Sequence, residues 1–317
     1  MARDFAWRDV LAFIRYRDRA VFLDNALRLT YAPGMFSSVL LSLVFPRSGF
    51  VTTWQSSVED SSPALGQMYR APGKHSARLT FLAPADPDSR AQMVRVISHL
   101  CQQAGERGAF HILAEVQRES PLEDCLRQSG FRAYAEQWIW MVPGALSHDR
   151  SQPGWTPFSE GEGEAIQRLY RKVIPRDVQR VEAPPRVEDL QGLSYWADGE
   201  LAGFAVFHQG PKGVLMDLII DPAESNLEDH IAALCEKLPP QGRKKTFFRV
   251  RTYQKKLISA LERVGAVQCA FQLAMVKHVA VHFRAKQPYQ VGTFETQPDV
   301  TTPFVKSEDK NTTYVKS

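Results

Sequence analysis

The chain has 317 residues, about twice a typical domain of roughly 150, so two domains are expected. Its 44% hydrophobic and 23% charged content is globular and excludes a fibrous or wholly disordered protein. The net charge of +4, from 39 Lys and Arg against 35 Asp and Glu, is too balanced for wholesale binding to nucleic acid or an anionic membrane, so neither is an expected partner.

Arg3, Asp4, Arg8 and Asp9 break up the apolar residues at the start, unlike a secretory signal. The longest apolar stretch, Met35 to Phe45, falls short of the ~20 residues of a spanning helix. A cytoplasmic location follows as the expectation. Phe50 to Ser56, Leu65 to Tyr69 and Ala77 to Leu82 then read as three strands separated by polar or Gly/Pro turns. Met93, Ile97, Leu100, Cys101 and Ala104 form the apolar stripe of an amphipathic helix, opened by the capping-box pattern Ser89 to Gln92 and closed by Gly105. A strand follows at Phe110 to Val116. A short helix begins with Ser120 and Pro121 and ends at Gly130, and a last strand runs from Tyr134 to Val142.

The same order then repeats. Leu193 to Ala197, Ala202 to His208 and Val214 to Ile220 are predicted strands, with Asp198-Gly199 as a hairpin turn and Trp196 in the place of Trp54. Leu227, Ile231, Leu234, Cys235 and Leu238 repeat the helix stripe behind a second capping box, Ser225 to Glu228, and Pro239-Pro240 stops it. Thr246 to Arg251 and Cys269 to Val281 complete the copy. Leu257, Leu261 and Gly265 match Leu122, Leu126 and Gly130 at a constant spacing, and Ala270 and Gln272 match Ala135 and Gln137 at that same spacing. The predicted organisation is a first domain over 1–143, a linker over 144–153, a second domain over 154–285 and a disordered polar tail over 286–317.

Three antiparallel strands, a long helix, a strand, a short helix ending in Gly130-Phe131 and another strand resemble the core of the GNAT acyltransferase superfamily. The likeness covers about residues 50–142, with a weaker copy over 190–282. Phe13 to Phe45 and Glu160 to Val173 stand where the family has its early helices. The fold class expected is α/β (α+β), two tandem GNAT-like domains, each a mixed, mostly antiparallel central sheet flanked by helices.

The resemblance implies acetyl-CoA as cofactor, held where the fourth and fifth strands splay apart, with its pyrophosphate on the N-H groups at the start of the long helix. It places Leu82, Ala83, Ser89, Arg90 and Ala91 at that position in the first copy. The family loop is glycine-rich; here Pro84 to Arg90 has no glycine and carries Asp86 and Asp88. The matching loop of the second copy, Asp221 to Asp229, carries four acids and no base.

Many members protonate the leaving thiolate with a tyrosine on the short helix. Leu126 and Leu261 occupy that position here, and Glu119 and Gln254 stand where an asparagine is common. Glu115 is the candidate general base of the first copy and Asp217 of the second, each with the alternative of a solvent-facing strand carboxylate.

The cysteines Cys101, Cys125, Cys235 and Cys269 form no C-x-x-C pair, which predicts reduced, packed thiols. His278 and His282 lie four apart in a strand-like segment, so no metal site is expected. Arg243 to Lys256 is basic without an acid, and Arg249 and Arg251 alternate onto one strand face, where they either present paired guanidiniums to an anion or form a solvated rim.

Three functions remain open: a GNAT-type N-acetyltransferase acting on a small-molecule or peptide amine, a catalytically lapsed GNAT-like binding or scaffold protein, and anion or nucleic-acid binding through Arg243 to Lys256.

Overall fold

The computed structural model describes residues 2–31, 35–45, 48–56, 63–143, 154–159, 161–186, 191–238 and 245–279. The predicted linker and tail lie outside these residues, as do Arg243, Lys244, Val281 and His282.

The first copy runs β1 (Ala2–Asp4), α1 (Val10–Tyr16), β2 (Val21–Phe22), α2 (Asn25–Thr30), α3 (Met35–Val44), β3 (Phe50–Gln55), β4 (Ala64–Tyr69) and β5 (Ser76–Ala83). It continues with α4 (Arg90–Glu106), β6 (His111–Gln117), α5 (Pro121–Gln128) and β7 (Arg132–Val142). The second runs β8 (Thr156–Pro157), α6 (Gly163–Val173), α7 (Arg176–Gln179), β9 (Gln191–Ala197), β10 (Glu200–Gln209) and β11 (Gly213–Ile220). It ends with α8 (Leu227–Lys237), β12 (Lys245–Arg251), α9 (Lys255–Arg263) and β13 (Val267–His278).

The strands join in one sheet in the order β1-β3-β4-β5-β6-β13-β7-β12-β11-β10-β9-β8, with β2 pairing β5 off this path. The pairs β5/β6 and β11/β12 are parallel, and every other pair is antiparallel. The last strands are exchanged between the copies: β13 lies beside β6 of the first copy, and β7 lies beside β12 of the second. At the centre the two exchanged strands pair with each other, with the equivalent residues Gln137 and Gln272 opposite one another. A pseudo-two-fold axis therefore passes through that pair.

The helix stripes read from the sequence face the sheet. Met93, Ile97, Leu100, Cys101 and Ala104 are buried with Leu79, Leu82 and Ile112, and α4 lies across β3 and β4. Gly66 permits that approach, because a Cβ there would sit 2.6 Å from Leu82 and 2.7 Å from Val96. In the second copy Leu227, Ile231 and Leu234 pack with Met216 and Phe248. On the opposite face, α2 lies over the centre of the sheet, Ala26 and Leu29 packing on Ile139, Leu215 and Phe247 from both copies.

Three local expectations need correction. Ser89 precedes α4 with φ −95° and ψ 6° and makes no side-chain cap. It ends a 3-10 turn, and a capping side chain reaches the N-H groups of the first turn from extended backbone. The residue before α8 is Asn226, in left-handed conformation, and it too gives no side-chain cap. Gly105, read as the end of the long helix, lies inside α4, which runs to Glu106, and Gly108 beyond it takes the left-handed conformation with φ 82°. The glycines after the short helices behave as expected: Gly130 and Gly265 have φ of 88° and 76°. The turn residues Asp198 and Gly199 are both left-handed, as a type I′ hairpin requires.

Candidate functional site

The strands β5 and β6 pair only from Ser76 to Arg78 with His111 to Leu113, and then separate. The gap is the place where the GNAT resemblance puts acetyl-CoA, and the chain's own β2 fills it. Val21 and Phe22 pair with Leu82 and Phe81. Leu23 then bridges both edges of the gap: its N-H donates to the carbonyl of Thr80 at 2.9 Å, and its carbonyl accepts from Glu115 N-H at 2.8 Å.

The same segment closes the adjoining loop. Ala85 N-H donates to the carbonyl of Arg19 at 3.1 Å, and the Arg19 guanidinium pairs with Asp86. Of the residues expected at the pyrophosphate, Leu82 and Ala83 are buried in the sheet. Ser89 turns its hydroxyl onto the carbonyls of Pro84 and Asp86, both at 2.8 Å. Arg90 is exposed and lies 3.5 Å from Asp124, and Ala91 is exposed beside it. A cavity of about 480 Å³ does open here, but Asp86, Glu119, Glu123 and Asp124 line it with Arg90 as the one basic group. Its charge opposes a pyrophosphate.

Glu115 is buried within the seam between the copies. One oxygen accepts the backbone N-H of Asn25 at 2.7 Å and the other takes Arg249 Nη1. Burial opposes its ionisation, but Arg249 and Arg78 outweigh burial and hold the carboxyl down to about 2. A carboxylate so held is a weak acceptor for an amine proton.

In the second copy, β11 and β12 pair from Gly213 to Asp217 and then splay. Gln254 spans the gap: its Nε2 donates to the carbonyl of Leu218 at 2.8 Å, while its Oε1 accepts from Arg251 N-H at 2.9 Å. The following loop is held by its own acids and neighbours. Asp221 accepts Ala223 N-H at 3.0 Å and pairs with Lys172, and Lys256 donates to the carbonyl of Pro222. Leu126 and Leu261, at the family's tyrosine position, are fully buried core residues.

Between the two gaps runs a polar seam with residues from both copies. Arg249 is its centre, donating through Nε and Nη2 to Asp217 at 2.7 and 2.5 Å and through Nη1 to Glu115. Burial raises the cost of the Asp217 charge, but Arg249 and the bond from His208, at 3.2 Å, hold its carboxyl far below the usual range. Arg251 donates to Glu182 at 2.5 Å, which also accepts the Tyr134 hydroxyl at 2.5 Å. Asn25 and Gln137 both donate to Gln272 Oε1, at 2.6 and 3.2 Å. The two arginines predicted to share a strand face do so, and Phe248 and Val250 point to the core. Arg249 is engaged through Nε, Nη1 and Nη2 and Arg251 through Nη2, so the two do not stand together as the free anion cradle read from their spacing.

Sequence reasoning did not single out Arg78, Asn25 or Glu182. A lone Arg inside the apolar strand from Ala77 to Leu82 was the available signal for Arg78. Asn25 and Glu182 carried none, because their roles depend on contacts 90 and 69 residues distant in sequence. Among the described residues no group of three or more His, Cys, Asp and Glu is placed to hold a metal, and no helix is long and apolar enough to cross a membrane. Cys101 and Cys125 are buried and Cys269 is exposed; all the cysteines are free.

This is a doubled α/β fold in which each copy has one parallel strand pair that opens at one end. The chain has the GNAT fold, present in two copies. An acetyltransferase candidate from Pyrococcus horikoshii is similar over 89% of this chain and 90% of its own, at 12% identity and a TM-score of 0.51. A tandem GNAT protein from the clavulanic acid biosynthesis pathway has 11% identity, a TM-score of 0.49 and coverage of 88% and 98%. A GCN5-related N-acetyltransferase from Sphaerobacter thermophilus has 12% identity, a TM-score of 0.48 and coverage of 88% and 95%. No family model and no curated protein matches the sequence.

Proposed function

We propose that this chain is a GNAT-derived binding protein whose first acetyl-CoA cleft is closed by its own N-terminal segment. The observation that carries this reading is Leu23, hydrogen bonded to Thr80 on one lip of the cleft and to Glu115 on the other. A cofactor lying there in the family manner would have to displace Val21 to Leu23 and take over their backbone bonds. Three further features support the reading. The loop before α4 is acidic and without glycine, Glu115 is tied to Arg249, and Gln254 spans the corresponding gap of the second copy.

The alternative, transfer of an acetyl group from acetyl-CoA to a small-molecule or peptide amine, requires both the segment to leave and a new proton donor for the thiolate. Thermal shift of the full chain with acetyl-CoA and with CoA tests the reading, since a ligand selective for the native state raises the melting temperature. No shift at millimolar concentration is expected. A saturable rise would overturn the reading.

A further inference from the structure

We propose that the first helix of the chain rests on an anionic lipid surface, its outward apolar side chains entering the interface and two arginines meeting the headgroups. The proposal goes beyond the closed-cleft reading and does not depend on it.

Among the described residues, seven of the ten exposed large apolar side chains lie within residues 7–45, so the uncovered apolar surface belongs to the N-terminal layer. Three of the seven stand on α1 and the 3-10 turn Trp7–Asp9 that leads into it. Trp7, Leu11 and Ile14 are 63%, 81% and 41% exposed. Their spacing of four and then three residues sets them on one helix face. The other face fastens the helix to the domain: Phe13 is fully buried with Val39, Leu65 and Phe81, and its ring meets that of Phe5 edge-on at 6.3 Å. A helix anchored by one apolar face and apolar on the other has an outer face without a partner.

The charges beside that face select the partner. Arg8 and Arg15 stand three residues before and four residues after Leu11, so both are its neighbours on the helix surface. Both are exposed, and neither has an ion-pair partner among the described residues. The nearby acids are taken up elsewhere: Asp9 by Arg3, Asp18 by Arg17 at 3.5 Å and Asp4 by His99 at 3.4 Å. The face is therefore apolar with a positive flank. That is the pattern of a helix lying in the plane of an anionic membrane, where tryptophan settles at the headgroup level and arginine reaches past the apolar layer to the lipid anions.

A second copy fits less well, because a two-fold contact centred on Leu11 would set the same two arginines against their counterparts. Trp7 and Leu11 also protrude, and a fluid surface receives a ridge without needing a matching groove. The balanced charge of the whole chain does not oppose the contact, since screening confines the attraction to about 8 Å. With seven residues, α1 lies on the surface and does not span it.

The test sediments the full chain with vesicles of phosphatidylcholine alone and with vesicles that contain about one-third phosphatidylserine. The chain should pellet with the anionic vesicles, about tenfold more tightly than with the neutral ones, and should be released as salt rises toward about 1 M. Leu11→Asp should weaken that partition by about tenfold or more. It should not move the melting temperature, because the side chain is 81% exposed. Val267→Asp, at an exposed apolar residue of β13, should leave the partition unaltered. Arg8→Gln combined with Arg15→Gln should bring binding to anionic vesicles down to the neutral level.

Failure to pellet with anionic vesicles would overturn the proposal, as would equal partition onto neutral vesicles or an unaltered partition in Leu11→Asp. Analytical ultracentrifugation reads the competing occupant: a dimer that Leu11→Asp dissociates would assign the face to a second copy and overturn the proposal too. Acetyl-CoA binding bears on none of these outcomes, so the closed-cleft reading and the lipid contact fail separately.

Discussion

Glu115 and Arg249 occupy equivalent positions in the two copies and pair with each other across the pseudo-two-fold axis. Each is the fifth residue of its strand, counted from the first rung of the parallel pair, at His111 and at Lys245. Two identical residues at this place would bring like charges together beside the axis. Opposite charges make the copies attract, and they make them distinct.

Removal of Arg249 should therefore be costly. Arg249→Ala leaves Glu115 and Asp217 buried without their cation, and breaking such a buried pair costs about 3–5 kcal/mol. Denaturant unfolding should read that loss. Arg249→Lys should recover only part of it, because one ammonium cannot make the bidentate grip on Asp217.

The same carboxylates set the acid limit of stability. Glu115 is lowered from 4.5 to about 2, and Asp217 is held well below its ordinary 3.8. Below about pH 5 the unfolded chain binds protons that the folded chain refuses, so stability is full above that pH and falls as pH falls toward about 2. Unfolding free energy measured across this window should drop steeply in the native protein. Glu115→Gln should flatten the slope.

A second pH window belongs to His230. It is buried between Trp155 and Tyr195, with ring centroids at 5.7 and 4.6 Å. Burial lowers it from 6.5 to about 4. Between these values the unfolded state takes up a proton and the folded state does not, so stability declines as pH falls from 6.5 to about 4. His230→Phe keeps the ring packing and should remove that part of the decline.

The strand exchange predicts how the chain behaves when cut. β7 is held between β13 and β12, and β13 between β6 and β7. A protease site introduced within 144–153 should give two fragments that stay together through size-exclusion chromatography and unfold in one transition. Fragments that separate without denaturant would mean that each copy holds its own final strand.

Much of this fold was legible because helix stripes and strand alternation are local. Met93 to Ala104 and Leu227 to Leu238 announced their buried faces, and Gly130 and Gly265 their helix ends. Equivalence of the copies was legible too, down to Gln137 and Gln272. That these two glutamines would meet was not, since either a closed pair of domains or an exchanged one satisfies the same periodicity. The site was less legible still. Glu115 and Asp217 were recognised as acids on strands, but their partner is Arg249, which the local sequence presented as part of a basic rim. Leu23 carried no signal, because it acts through backbone atoms that any residue but proline would supply.

Calorimetric titration of acetyl-CoA into the full chain reads directly whether both clefts are closed. With Val21 to Leu23 in the first cleft and Gln254 across the second, no heat of binding beyond dilution is expected at millimolar acetyl-CoA. A saturable heat that CoA competes away would contradict it.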